Sequence, residues 1–408
     1  MKRLLITLTL TCLLPLCADA QWYLFPGNKK KQSNTKEQAK ETVIPTTPET
    51  APADTMLAMT DSVSIEEMFV FDRPATIQVS LILPLQANSE KPSGSFLEMY
   101  SGALMALKDL GNEGIKVRLK VIDSSSSDLE GDPGLIQDSD VIIGPVSYNN
   151  ILKTLPHCER HQMLVSPLEP RSAALADSCN VIQAPSPWTS QIDDMICWLE
   201  EEIQPGDEVI VLQDNSQNGF GNQGRRVIDQ LEQKNIRYRT SSSLEGLNME
   251  DNITYRLLIA SDSDAFITRS IRSIGISAEL KKQVILYTTS RVRNCVDSNV
   301  NDLYNANTRL TAAYHIDYND EAVKQFVLAY RAVFKSEPGS FAFQGYDTMK
   351  YFVRMCDEYG RRWHKKLPEK SERGLQSDFE FSKEEGNGHA NIAVRRVIYN
   401  KDLTTTLL

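Results

Sequence analysis

The sequence predicts an α/β protein with two mostly parallel sheets, each covered by helices on both faces. Three observations carry this. Short apolar runs bounded by turn residues alternate with stretches of helical period, the signature of strand–helix–strand units. The alternation breaks at Ala184-Pro185-Ser186-Pro187 and then restarts, which implies two sheets rather than one. Asp140-Val141-Ile142-Ile143-Gly144-Pro145-Val146-Ser147 reads as a strand buried on both faces, stopped by a Gly-Pro turn, with a serine placed to cap the next helix.

The elements follow in order. Ile77 to Leu83 is a strand ended by Pro84. Phe96, Met99, Tyr100, Ala103, Leu107 and Leu110 recur at helical spacing up to Gly111. Val117, Leu119 and Val121 alternate into Asp123, Val141–Ile143 is a third strand, and Met163–Val165 a fourth, closed by Ser166-Pro167. Past the proline pair, Ile192 to Ile203 marks a helix. Strands are expected at Glu208 to Leu212, Arg256 to Ala260 and Gln283 to Tyr287. Ala322 to Phe334 is helical, and Gly345-Tyr346-Asp347 opens a further helix, with Asp347 fixing its start. Phe379–Phe381 and Val394–Tyr399 read as a β-hairpin around Gly386-Asn387-Gly388.

The ends and the bulk composition bound the function. Lys2 and Arg3 precede an apolar run from Leu4 to Leu14 that is too short to span a bilayer, and Ala18-Asp19-Ala20 suits cleavage before Gln21. Residues 1–20 are therefore expected to be a signal peptide, with export to the periplasm; lipid attachment at Cys17 is the disfavoured alternative, because Leu16 is not small. Residues 21–75, with Lys29-Lys30-Lys31 and a Thr/Pro/Glu stretch, are expected to be a disordered linker; Trp22 to Phe25 stand out there as an anchor or a merely sticky end. No later segment is apolar enough to cross a membrane. The 408 residues are 41% hydrophobic and 24% charged, enough for a sizeable core. The net charge of −10 excludes a general nucleic-acid binder. Five cysteines remain after cleavage, an odd number. Cys158 and Cys179 flank a predicted strand and are the candidate disulfide; otherwise all five are buried thiols. No Cys or His spacing suggests a metal.

Dispersed pieces in a fixed order carry a resemblance. They are Leu81-Ile82-Leu83-Pro84-Leu85, Tyr100 to Leu107, Val121-Ile122-Asp123-Ser124, Ile143 to Ser147, Val165-Ser166-Pro167, Asp214 with Gly219 and Gly221, Phe326 to Pro338, and Gly345-Tyr346-Asp347. The chain from about Ile77 to Leu403 resembles the type I periplasmic ligand-binding family, which includes branched-chain amino-acid receptors. The run Gly374 to Phe381 is similar to a subgroup often fused to LysM modules, although no such module is visible. The resemblance implies two Rossmann-like lobes joined by three crossovers around a central cleft, the periplasmic binding protein-like I fold. The first lobe would take 76–184 and 318–365, the second 185–317 and 366–408. It implies a non-enzymatic protein with no cofactor that closes on a small-molecule ligand and serves a membrane transporter such as an ABC system. The alternative is a cell-envelope structural or regulatory protein that binds peptidoglycan or a cell-wall synthesis protein.

The resemblance also points to side chains. Ser147 and Ser166 match positions that hold a ligand carboxylate, and helix starts favour anions through free N–H groups. Tyr148 stands where a second small hydroxyl residue is usual, Leu168-Glu169-Pro170 replaces a small Thr-rich run, and Asn218 replaces a stacking ring; these departures weaken amino-acid specificity. Trp188 would stack on a ligand at the cleft edge or pack the hinge. Ser261 and Thr289 end second-lobe strands and would line the opposite wall. Gly219-Phe220-Gly221-Asn222-Gln223-Gly224 spells the dinucleotide fingerprint, but its first glycine lies several residues beyond the strand, and the binding-protein pattern explains the same glycines as a cleft loop. No Gly-x-Ser-x-Gly, His-Glu-x-x-His or P-loop occurs.

Overall fold

The computed structural model describes residues 73–176, 179–216, 219–295, 300–382 and 388–408. The signal peptide, Cys17, nearly all of the expected linker and Asn218 lie outside them.

The first half builds β1 (Ile77–Leu83), α1 (Gly94–Asn112), β2 (Val117–Asp123), β3 (Val141–Ile143), α2 (Tyr148–Thr154), β4 (Leu164–Ser166), α3 (Ala173–Ala176) and β5 (Val181–Gln183). The second builds α4 (Trp188–Glu202), β6 (Glu208–Gln213), α5 (Gly221–Gln233), β7 (Arg239–Ser241), β8 (Thr254–Ala260), α6 (Asp264–Glu279), β9 (Gln283–Thr289), α7 (Val292–Cys295), α8 (Asn301–Asn305) and β10 (Arg309–Ala312). The chain then returns with α9 (Glu321–Phe334), α10 (Ser340–Tyr359), β11 (Glu372–Arg373), β12 (Asp378–Phe379) and β13 (His389–Ala390), and ends in β14 (Arg395–Tyr399) and β15 (Thr405–Leu407).

Two sheets result. One runs β13-β5-β4-β3-β1-β2 and is parallel throughout. The other runs β15-β14-β10-β9-β8-β6-β7, parallel from β7 to β10, with β14 and β15 added antiparallel. Strand alternation sends side chains to both faces, and both faces are apolar. In β1, Ile77, Val79, Leu81 and Leu83 enter one core with α1, α9 and α10, while Ile82 enters another with Ile142, Ile151 and Leu164. In β6, Ile210 and Leu212 face α6, while Val209 and Val211 face α4 and α5 around Trp198. Four apolar clusters thus cover two faces of each of two sheets.

The chain passes between the sheets three times, at 184–187, 313–320 and 391–394. The return through α9 and α10 rebuilds the first core. Phe326, Phe343 and Tyr346 form a ring cluster there, with centroids 4.7 and 4.8 Å from Phe326. Helices α1 and α10 touch backbone to backbone. A Cβ on Gly102 would lie 1.8 Å from the Ala342 carbonyl oxygen, and one on Gly345 would lie 2.0 Å from that of Met99.

Three local expectations change. Asp347 lies inside α10, not at its start, because the helix begins at Ser340. Phe379–Phe381 does not form a hairpin with Val394–Tyr399. Asp378–Phe379 pairs with β11, Phe381 makes a single antiparallel bridge to Asn391, and Arg395–Tyr399 pairs with β10 and β15. The C-terminal segment is therefore shared. Phe379 and Phe381 enter the first core and His389–Ala390 pairs with β5, so only the chain from Arg395 on joins the second sheet. Cys158 is a thiol rather than half of a disulfide with Cys179; its Sγ lies 3.9 Å from the Thr154 carbonyl, and burial pushes the thiol pKa up to about 12.

Candidate functional site

In an open α/β sheet, ligands sit beyond the carboxyl ends of the strands, where neighbouring connections diverge. That point falls between β1 and β3 in the first sheet and between β6 and β8 in the second. Of the residues singled out in the sequence, Ser147, Tyr148 and Ser261 follow these strand ends, and Ser166 and Thr289 close the neighbouring strands β4 and β9.

Beyond β3 the chain turns through Gly144 and a cis Pro145 into Ser147, which caps α2: its Oγ accepts the Asn150 N–H at 3.4 Å. The Tyr148 N–H, free by position at a helix start, donates to Glu169 Oε2 at 3.0 Å. Glu169 follows β4 and also accepts the Arg171 N–H at 3.1 Å and Arg171 Nε at 2.8 Å. The Arg171 guanidinium lies over the Tyr148 ring at 5.1 Å. Glu169 is buried, yet the bond from Arg171 outweighs that burial and, with the backbone N–H groups, holds its carboxyl down at about 2. Ser166 is fully buried at the end of β4, and its Oγ has no hydrogen-bond partner among the described residues. The first lobe thus brings Tyr148 to Glu169, with Ser147 exposed and Ser166 buried at the end of β4.

In the second lobe, Ser261 is buried just beyond β8. Its hydroxyl lies 2.9 Å from the Gly219 carbonyl and 3.2 Å from Asp214 Oδ2, and it accepts the Ser263 N–H. Ser261 and Thr289 line a common cavity with Gln223 and Arg291, but its volume of about 30 Å³ suits one water molecule. Trp188 opens α4 and is 39% exposed.

The glycine-rich loop resolves differently from its fingerprint. Asp262 places its carboxylate on the start of α5, where Oδ2 accepts the Asn222 N–H at 2.8 Å and Oδ1 the Gln223 N–H at 3.0 Å. Gly221 has φ +58°, and a Cβ there would lie 2.0 Å from Asp262 Oδ2. Gly219 and Gly221 make room for the carboxylates of Asp214 and Asp262, and the Asn222 and Gln223 donors that would hold a pyrophosphate are taken. Arg291 lies 3.7 Å from Asp262 and partly balances it. Sequence reasoning missed Asp262, although an acidic pair in Ser261-Asp262-Ser263-Asp264 directly after a strand was a visible signal.

The crossovers carry a buried polar lock that the sequence did not reveal. Arg395, 3% exposed, donates to the carbonyls of His315, Leu375 and Gly374 and to Asp378. Asp347 accepts the N–H groups of Leu375, Gln376 and Ser377 at 2.8 to 3.0 Å. The Asn391 side chain donates to the Ala184 carbonyl at 2.7 Å, tying the third passage to the first.

Two of these groups titrate in opposite senses. Burial, with Arg293 and Arg395 nearby, holds His315 down at about 4. The unfolded ring titrates near ~6.5, so on acidification from there to about 4 the unfolded chain gains a proton first and stability is lost. Burial pushes Asp347 up to about 6 against its three N–H bonds. Its unfolded value is ~3.9, so this contribution is complete below that and is lost as pH rises to about 6. Relative to wild type, His315→Gln should make stability fall more steeply between about pH 4 and 6, and Asp347→Asn should make it rise. Urea titrations across that window check this; slopes identical to wild type in both variants contradict it.

Among the described residues no group of His, Cys, Asp and Glu is arranged to hold a metal ion, and no helix is long and apolar enough to cross a membrane. No family model and no curated protein matches the sequence. Solved structures do match. A candidate branched-chain amino acid ABC transporter protein from Rhodospirillum rubrum superposes with a TM-score of 0.58 at 12% identity, over 82% of this chain and 100% of that one. The chain has the type I periplasmic binding protein fold. Full-length LpoA from Haemophilus influenzae shares the type I fold at a TM-score of 0.50 and 11% identity, over 85% of this chain and 62% of that one. An ABC transporter substrate-binding protein from Desulfitobacterium hafniense, solved with Leu, matches at 0.47 and 16% identity, over 82% of this chain and 100% of that one.

Proposed function

We propose that the chain is an exported, non-enzymatic binding protein of the periplasm that uses the type I fold to dock a macromolecular partner in the cell envelope, peptidoglycan or a cell-wall synthesis protein. One observation carries the choice over an amino-acid receptor. At both lobes a carboxylate of the chain itself sits on a helix start: Glu169 accepts the Tyr148 N–H at α2, and Asp262 accepts the Asn222 and Gln223 N–H groups at α5. An α-carboxylate arriving from solution would meet negative charge where it needs free donors. The neighbours fit either reading: the Rhodospirillum rubrum structure is described as a transport protein, and LpoA, in a Haemophilus influenzae C-domain structure, as a regulator of PBP1A.

A second reading, closure on a small uncharged ligand delivered to a transporter, is favoured by the Ser166 hydroxyl, buried without a partner among the described residues. In that reading Ser147, Tyr148, Ser166, Trp188, Asn218, Ser261 and Thr289 would line the ligand site.

Co-sedimentation with purified peptidoglycan sacculi and pull-down from envelope extract, beside a thermal-shift screen of metabolites, separate the two. A ligand at a thousandfold excess over its Kd stabilises by about 4 kcal/mol, a shift of several degrees. Sedimentation or one stoichiometric envelope partner, with no metabolite shift, supports the docking reading. A metabolite shift without a partner overturns it in favour of the second.

A further inference from the structure

The outer face of the second sheet carries a groove of about 770 Å³ along α6, a size that accommodates several apolar side chains. Arg269, Arg272 and Ile276 of α6 and Leu280 at its C-cap follow one another at three- and four-residue steps, so they share a face. The opposite wall is the loop before β8, with Leu244, Leu247 and Met249. Ile276 is 43% exposed and Leu280 69%, an apolar floor left open to water. Because β8 and β9 are parallel, α6 runs back against them, and Leu280 lies at the end opposite the strand ends described above.

The charge around this floor is selective. Arg269, Arg272 and Lys282 line it against one carboxylate, Glu245, in a chain of net charge −10. Arg272 reaches Asp302 at 3.0 Å but stays 54% exposed, Lys282 reaches Asp251, and Arg269 has no ion pair among the described residues.

We propose that this groove docks an acidic amphipathic helix of a partner protein, its apolar stripe on Ile276, Leu280, Leu247 and Met249 and its carboxylates against Arg269 and Arg272. The shape suits anchors at i, i+3 or i+4, and i+7, the spacing at which a helix fills a groove. The rim supplies the sign discrimination and a salt-dependent encounter. The inference is independent of what, if anything, occupies the crevice between the lobes.

The test is fluorescence anisotropy of the purified chain with two labelled helical peptides that share one leucine stripe, glutamates filling the remaining positions in one and lysines in the other. The glutamate peptide should bind at least about tenfold more tightly than the lysine peptide, and its affinity should fall as salt is raised. Leu280→Glu, at a position too exposed to affect folding, should weaken it about tenfold, and Arg269→Glu should narrow the preference between the peptides. Equal binding of both peptides, or binding unchanged by Leu280→Glu, overturns the proposal. So does concentration-dependent dimerisation in sedimentation velocity that Leu280→Glu abolishes, since the groove would then belong to a second copy of the chain.

Discussion

Arg395→Ala is expected to lower folding stability by about 3–5 kcal/mol. The side chain is 2% exposed and sits where the second and third passages between the sheets meet. It donates to three carbonyls, those of His315, Leu375 and Gly374, and to the Asp378 carboxylate. Truncation leaves all four acceptors without their donor, and a buried acceptor left unpaired costs about 1–3 kcal/mol. It also leaves Asp378, about a quarter exposed, without its guanidinium. Lysine keeps the charge but not the planar fork that reaches several acceptors at once, so Arg395→Lys should recover only part of the loss. Urea unfolding measures both. Arg331→Ala is the control: Arg331 pairs with Glu337 at the surface, 50% exposed, and should change stability by no more than about 0.5 kcal/mol.

Gly345→Val should be nearly as damaging, at about 3–4 kcal/mol, for a different reason. Even a Cβ at this position would lie 2.0 Å from the Met99 carbonyl oxygen. The obstructing atom is backbone, so no rotamer change relieves it, and α1 and α10 must separate across the first core. Gly102→Val should behave alike, since its Cβ would lie 1.8 Å from the Ala342 carbonyl oxygen. Gly111, in the last turn of α1, meets nothing within 4 Å, so Gly111→Ala should be neutral or stabilising by up to about 1 kcal/mol. Equal losses at Gly111 and Gly345 would mean that helix propensity, not the close approach, sets the effect.

The fold was legible because burial on both faces leaves a plain mark. Runs such as Leu81–Leu83 and Val141–Ile143 are apolar on successive residues, and few structures other than covered parallel strands need that. Elements whose register depends on distant partners left less trace. Val181–Gln183 and Arg239–Ser241 are three residues each, too short for any period to show. Arg309–Ala312 is half polar because Arg309 reaches Glu202 and Thr311 reaches the Gln191 carbonyl in α4. The final segment was misassigned because Asp378–Phe379 takes its partner from a short upstream strand and not from the nearest downstream run.

The candidate site was legible only in its turns. Ser147 as a cap, and the ends of β3, β4, β8 and β9 as the places to look, follow from local sequence. What occupies those ends does not. Glu169 meets an N–H group twenty-one positions away, and Asp262 meets one forty positions away. Such pairings depend on the order of strands in the sheet, which local pattern does not encode. The glycine-rich loop misleads for the same reason: Gly219 and Gly221 are required, but by the carboxylates of Asp214 and Asp262 and not by a ligand phosphate.

The central claim is that both lobes fill their own helix starts and leave no place for an amino-acid carboxylate. Isothermal titration calorimetry of the purified chain with leucine, isoleucine, valine and glutamate tests it most directly. The account predicts no heat of binding for any of them up to about millimolar concentration, where a Kd of 1 mM already corresponds to only about −4 kcal/mol. Saturable one-to-one binding of any of the four at micromolar Kd, weakened by Ser147→Ala or Ser261→Ala, would contradict it.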